Sequence, residues 1–256
     1  MIKRIKLLIA LFLFFQIAGY SQLSIKKIKV SDDIELIKIS DNAYIHVSYI
    51  EMQPFGRSSA NGLLLIDKKK AFLLDTPWDD TQTKILVNFI SDSLHAKVSG
   101  FVPNHWHNDC IGGLKYLNKQ GIKSYANQRT INIAQEKGLP VPKKGFKDSL
   151  TLKLNNIEIQ CYYFGKGHST DNIVVWIPSE KILFPGCMVK DMQSNGLGNL
   201  SDANVNDWPK TILLVIDKFP LAEIVIPGHG QIGGKELLTH TMKLLKEHLA
   251  PSISPN

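Results

Sequence analysis

From Gln22 to about Ser58 the apolar positions recur every second residue. Ile34 and Leu36 form one pair. Ile37 and Ile39 form another after a one-residue slip. Beyond an Asp41-Asn42 turn, Ile45, Val47 and Tyr49 alternate with His46 and Ser48. A period of two is that of a strand with one face turned to a core, and the slip predicts a β-bulge. Gly62 to Ile66 and Ala71 to Leu74 predict a hairpin across Lys68-Lys69-Lys70. The stretch before it, Glu51 to Asn61, contains Pro54-Phe55-Gly56-Arg57 and predicts a mobile loop with an apolar tip. The spacing then changes. Ile85, Leu86, Phe89 and Ile90 predict a helix over 81–94, with Asp79 and Asp80 suited to its positive end.

The alternation of periods continues. Val98 to Val102 is a mostly apolar run that reads as a buried strand, ended by Pro103. Ile111 to Leu117 predicts a short helix, and Asn127 to Lys137 another, ended by Gly138 and Pro140. Leu150 to Leu154 pairs with Ile157 to Phe164 over Asn155-Asn156, and Ile173 to Ile177 with Lys181 to Phe184 over Pro178-Ser179. Trp208 to Phe219 predicts a helix with Pro209 in its first turn, Ile224 to Ile226 a short strand, and Lys235 to Leu249 a closing amphipathic helix. The second part loosely repeats the first. An α/β arrangement of two sheets with helices on their outer faces satisfies this order.

The first residues stand apart. Lys3, Arg4 and Lys6 precede an apolar run from Leu7 to Ala18, followed by Gly19-Tyr20-Ser21. Charged start, apolar core and small residues at a cut site are the parts of a secretory signal. The run falls short of the ~20 residues of a membrane span. Residues 1–21 are therefore expected to be a cleaved leader, and 22–256 a single exported domain without stable membrane association. Thirty basic and 23 acidic residues give +7 over the whole chain; without the leader's three basic residues the balance is +4. That is a mild charge, with no basic stripe interleaved with aromatics, so a nucleic-acid partner is not expected. Nothing marks an oligomer interface, and a monomer is expected. Three cysteines, Cys110, Cys161 and Cys187, leave at least one thiol without an intrachain partner. In an exported protein such a thiol needs a reason, and metal ligation is one.

Four short elements share one chemistry, each placing metal-ligand residues just after a predicted strand. They are His105-Trp106-His107-Asn108-Asp109, Gly167-His168, Pro185-Gly186-Cys187 and Pro227-Gly228-His229-Gly230. A glycine beside such a residue lets the backbone approach closely. Four of the eight histidines fall in these motifs; His46, His95, His240 and His248 read as ordinary surface or core residues. Six donors exceed one tetrahedral zinc that must also hold water, and suit two zinc ions with three each. His105, His107 and His168 give a three-histidine set, and Asp109, Cys187 and His229 a mixed set. Three protein ligands with an open position is a catalytic arrangement, and a water shared by two zinc ions loses a proton near neutral pH.

At these residues the chain resembles the metallo-β-lactamase superfamily. The pattern His105-x-His107-x-Asp109, then His168, Cys187 and His229, is similar to subclass B1, close to the CcrA/CfiA type. Pro103 to Leu114, Ser124-Tyr125-Ala126-Asn127, Cys161-Tyr162-Tyr163, Asp171 to Trp176 and Pro227 to Gly230 carry the likeness further. The resemblance implies an αββα sandwich with a dizinc site at one edge. It implies periplasmic hydrolysis of penicillins, cephalosporins and carbapenems by a zinc-bound hydroxide, and hence antibiotic resistance. By position it also implies that Lys190 pairs with the substrate carboxylate and that Asn199 hydrogen-bonds the lactam carbonyl. It implies that Asp75 orients a zinc ligand from behind, that Phe55 covers the substrate, and that Asp109 influences protonation of the lactam nitrogen. Thioesterases of this superfamily carry a further histidine where Cys110 stands and an aspartate where Cys187 stands, and both differences favour a lactamase. Cys110 is expected to be a buried, non-ligating thiol. The alternatives are another hydrolase on the same fold, a lactonase or thioesterase, and a zinc-binding periplasmic protein without turnover.

Overall fold

A computed structural model describes residues 27–54 and 56–250. The leader expected at 1–21 and Phe55 lie outside the described residues. The first sheet runs β1 (Lys27–Ser31), β2 (Ile34–Lys38), β3 (Ala43–Met52), β4 (Gly56–Asp67), β5 (Lys70–Leu74), β6 (Lys97–Val102), β7 (Lys123–Asn127) and β8 (Lys144–Phe146), in that spatial order. The second sheet runs in the order β13 (Ile224–Pro227), β12 (Ile182–Gly186), β11 (Val174–Ile177), β10 (Ile157–Tyr162) and β9 (Ser149–Leu154). Neighbours joined by hairpins are antiparallel. The pairs β5–β6, β6–β7, β7–β8 and β12–β13 are parallel. Parallel neighbours need a crossover, and helices supply it: α1 (Asp80–Asp92), α2 (Asn108–Ile111) with α3 (Leu114–Lys119), α4 (Gln128–Glu136) and α5 (Trp208–Lys218). The last helix is α6 (Glu236–Leu249).

Three apolar layers hold this together. Between the sheets, Ile45, Leu63, Leu65, Phe72 and Leu74 meet Leu154, Ile159, Cys161, Val175 and Phe184. Outside the first sheet, Leu86 and Ile90 of α1 with Ile111, Leu114 and Leu117 pack on Leu64, Leu73 and Phe101. Outside the second, Trp208, Ile212 and Val215 of α5 with Leu237 and Leu245 of α6 pack on Val174, Leu183 and Val225. The architecture is the expected αββα sandwich. Burial of these apolar faces is its main stabilisation.

The slip at Ile37 is not a bulge. Strand β2 pairs with β3 in unbroken register from Ile34↔Ser48 to Lys38↔Tyr44, and the irregular pairing lies between Lys29 and Ser31 of β1. Ile34 and Leu36 face the helices, whereas Ile37 and Ile39 face the second sheet. A strand covered on both faces carries apolar residues in both phases. Nor is 51–61 a loop. β3 and β4 pair without interruption from Ala43↔Leu65 to Met52↔Gly56, so only the tip lies outside the ladder. Its serines and Asn61 give no strand pattern, and backbone pairing alone extends the ribbon. The helix predicted over 111–117 is two short helices divided at Gly112-Gly113, and β7 and β8 are further strands with little apolar pattern of their own.

Candidate metal centre

The four motifs meet at the strand ends. β6 ends at Val102, and the chain turns through Pro103 and Asn104 to His105, His107 and, in the first turn of α2, Asp109. His168 follows β10, Cys187 follows β12 directly, and His229 follows β13. Their close approach needs missing side chains: a Cβ on Gly228 would lie 2.3 Å from Cys187 Sγ. The imidazoles of His105, His107 and His168 are mutually edge-to-face, with ring centroids 4.5, 5.1 and 5.3 Å apart. His105 Nε2 lies 2.9 Å from His107 Nδ1. In the other set, Asp109 Oδ2 lies 3.2 Å from both Cys187 Sγ and His229 Nε2, and Cys187 Sγ lies 3.4 Å from His229 Nε2.

The donor atoms form one continuous cluster rather than two islands. Asp109, Cys187 and His229 offer oxygen, sulfur and nitrogen within 4.8 Å of one another, and His105 belongs both with His107 and Asp109 and with His168 and Cys187. The environment keeps the donors available. Burial pushes His105 down to about 3 and His168 well below the ordinary histidine value, so both are neutral with a free lone pair. Burial alone would raise Asp109, but His229 and His105 outweigh it and hold the carboxyl below its usual range. Cys187 falls to about 6, chiefly through the Cys110 thiol. Burial opposes protonation of His229, yet the Cys187 and Asp109 charges raise it well above the ordinary value. His168 Nδ1 is buried with no hydrogen-bond partner among the described residues. The neutral imidazoles of His105 and His168, a carboxylate and a thiol of lowered pKa, packed donor to donor with His107 and His229, fit metal ions.

Comparison with known proteins decides the family. No protein-family model matches the chain. The metallo-β-lactamase type 2 of Bacteroides fragilis is 54% identical over 230 residues, covering 90% of this chain and 92% of that protein. The metallo-β-lactamase type 2 of Bacillus cereus is 37% identical and covers 83% of both chains. The chain belongs to the metallo-β-lactamases. The crystal structure of VMB-1 agrees, with a TM-score of 0.82 at 37% identity, covering 86% of this chain and all of that one. Membership in the metallo-β-lactamases makes a metal cofactor part of the active protein, and the cluster at the strand ends has the donors for it.

Around the donors, this metallo-β-lactamase chain has a ring of residues that aim them. Asp75, buried at φ 61°, accepts a 2.5 Å hydrogen bond from the backbone N–H of Asn104. It therefore steadies the loop that carries His105 and His107 through its backbone. Asn104 Nδ2 donates to the Ile173 carbonyl at 2.6 Å. Lys190 is buried with Nζ 5.6 Å from the Trp208 ring centroid, and a Cβ on Gly198 would lie 3.7 Å from Nζ. Asn199 follows Gly198, is exposed, and accepts from the Ser201 N–H at 3.0 Å, which leaves its amide Nδ2 free of that turn.

Three supports carry no sequence signal of their own. His107 Nε2 faces Asp202 Oδ2 at 3.1 Å; a carboxylate only accepts, so Nε2 carries the proton and Nδ1 turns its lone pair to the site. His229 Nδ1 donates to the Ser59 carbonyl at 2.5 Å, which fixes Nε2 toward Asp109 and Cys187. Asn61 Nδ2 donates to the carbonyls of Pro227 and Gly230 at 2.9 and 3.0 Å and clamps the loop carrying His229. Each partner lies 95 to 170 residues away from the group it aims. An Asp, a Ser and an Asn at such separations look like turn or strand residues in the sequence.

Proposed function

We propose that this chain opens the β-lactam ring with two zinc ions, one held by His105, His107 and His168 and the other by Asp109, Cys187 and His229. Family membership makes it a metal-dependent hydrolase of β-lactams. The identity and number of ions are the finer proposal. The observation that carries it is the convergence of six donor residues from four strand ends into one cluster. Zinc supplies Lewis-acid polarisation of the lactam carbonyl and brings the pKa of a bound water to about 7.

The protein's own residues divide that task. His105, His107 and His168 would hold one ion through imidazole nitrogens, which add no negative charge, and that ion would supply the polarisation of the carbonyl oxygen. Asp109, Cys187 and His229 would hold the other ion, which would supply Lewis-acid stabilisation to the departing ring nitrogen. Asp202 and the Ser59 carbonyl hold His107 and His229 in the tautomers that keep the inner nitrogens facing the cluster. Lys190 presents a cation for the substrate carboxylate. Burial lowers its pKa, against the opposing pull of Cys187 and Asp109. The Asn199 amide is assigned to donate to the lactam carbonyl, and Phe55 to cover the substrate. Asp109 also influences protonation of the ring nitrogen.

Subclass B1 assignment rests on Cys187 as the mixed-site donor. Activity on penicillins, cephalosporins and carbapenems, export to the periplasm through residues 1–21, and a monomer of one domain over 22–256 complete the proposal. Among the described residues no helix is long and apolar enough to cross a membrane. The test is hydrolysis of a chromogenic cephalosporin, a penicillin and a carbapenem by the purified chain, with zinc counted by atomic spectroscopy. Expected are two zinc ions per chain, turnover of all three, and loss of both on chelation. Full activity in a chain stripped of metal overturns the proposal.

A further inference from the structure

Cys110 has no place in the chemistry above, yet it lies inside the cluster. It is 1% exposed, and its Sγ is 3.2 Å from His105 Nδ1. Cys110 and Cys187 are neighbours, each acting on the other's ionisation. Cys187 Sγ itself lies within 4.8 Å of a His105 ring nitrogen, so one imidazole adjoins both sulfurs. The two thiols come from different strand ends, α2 after β6 and the turn after β12, and neither is in a disulfide. The third cysteine, Cys161, sits apart in the core between the sheets. Cys187 is 2% exposed and lies 3.4 Å from His229, whose side chain is 45% exposed.

We propose that Cys110 is a resolving thiol for Cys187: when the mixed-site zinc leaves, peroxide drives an intramolecular Cys110–Cys187 disulfide that spares the ligand cysteine from irreversible oxidation. The proposal rests on the assignment of Cys187 as a zinc ligand. The chemistry balances in two steps. The Cys187 thiolate attacks hydrogen peroxide, the O–O bond breaks, hydroxide leaves, and the sulfur is oxidised to a sulfenic acid. The Cys110 thiol then attacks that sulfur, an S–S bond forms, the S–O bond breaks, and water departs with the Cys110 proton. One peroxide is reduced to two waters and two thiols are oxidised to a disulfide. Without a neighbouring thiol, a second and third peroxide carry the sulfenic acid to sulfinic and sulfonic acids, which reductants do not reverse. Bound zinc occupies the Cys187 sulfur and blocks the first step, so the device acts in the zinc-poor state.

The experiment treats the zinc-loaded protein with hydrogen peroxide, with and without a competing chelator, and reads intact mass, peptide map and zinc content. In chelator the wild type is expected to lose about 2 Da and to yield a peptide linking 110 to 187. A phosphine reductant followed by zinc then restores mass and full zinc content. C110S is expected instead to gain about 32 to 48 Da at Cys187 and to recover no mixed-site zinc. Cys161→Ala behaves as wild type. The proposal is overturned if wild-type Cys187 reaches the sulfinic acid as fast as in C110S, or if the cross-link runs through Cys161. Should C110S fail to fold, the wild-type peptide map decides alone. Cys187→Ser separates the two ideas: full zinc content in it defeats the ligand assignment, whereas the wild-type mass change reports the disulfide independently of zinc.

Discussion

His46 lies behind the metal loop, and replacing it with glutamine gives a quantitative test of how that loop is held. The ring is 1% exposed and lies across Gly62, where a Cβ would be 2.1 Å from Nε2. Its Nε2 donates to the Asp75 carbonyl at 3.2 Å, the same Asp75 whose carboxylate receives the Asn104 N–H. Burial brings its pKa from 6.5 down to about 4, against weaker support from the Asp75 and Leu74 backbones. A depressed histidine is neutral in the fold and charges on unfolding. Between pH 6.5 and 4 the unfolded chain therefore binds the extra proton, and stability rises with pH through that window and falls as pH drops. Relative to neutral pH, the loss from this one group is about 2 kcal/mol at pH 5 and about 3 kcal/mol at pH 4. His46→Gln keeps a donor for the Asp75 carbonyl and removes the titration. Urea unfolding of both proteins in excess chelator, from pH 7.5 to 5, measures the difference, because the other buried histidines contribute equally to each. The wild type should lose about 2 kcal/mol more than the variant over that range. Parallel curves refute the picture of a neutral imidazole sealed under Asp75.

The remaining predictions concern the site. Cys187→Ser should bind one zinc ion per chain where the wild type binds two, by atomic spectroscopy; two in the variant removes Cys187 from the ligand set. Lys190→Ala should raise KM for carboxylate-bearing β-lactams roughly ten- to hundredfold with little change in kcat, and a fall in kcat alone contradicts simple anchoring. Asp202→Ala should weaken zinc at the three-histidine position by about tenfold or more in a chelator competition, since His107 loses the partner that sets its tautomer. An unchanged affinity shows that the tautomer holds without it.

Much of the architecture and the donor set was legible because each rests on local pattern. The apolar spacings gave α1, α5 and α6, the β9–β10 and β11–β12 hairpins, and the sheet-and-helix layering. The six candidate donors, which the structure brings together, could be named because each stands beside a strand end and because histidine, cysteine and glycine are informative residues in such places. Strand β4 was hidden for the opposite reason. Its first half, Gly56 to Asn61, is small and polar, and it is a strand because the backbone of β3 pairs with it. The slip at Ile37 misled because a period of two was read as one buried face, while both faces of that sheet are covered.

The residues that aim the donors follow another rule. A ligand is recognisable by its own chemistry; an orienting group is recognisable only by its distance from the ligand. Asp202, Ser59 and Asn61 use a carboxylate, a backbone carbonyl and an amide, groups found in any loop or strand. What makes them functional is that the sandwich carries the β3–β4 ribbon to the His229 loop and the 199–207 segment to His107. Ser59 shows the limit most clearly, since its contribution is a main-chain oxygen and survives most changes of side chain. The ribbon extended past its apolar half therefore has a purpose: its polar segment, which gives no strand signal, supplies the acceptor that sets the His229 tautomer and the amide that clamps its loop. The stretch least legible as structure is one of those on which the geometry of the metal centre depends.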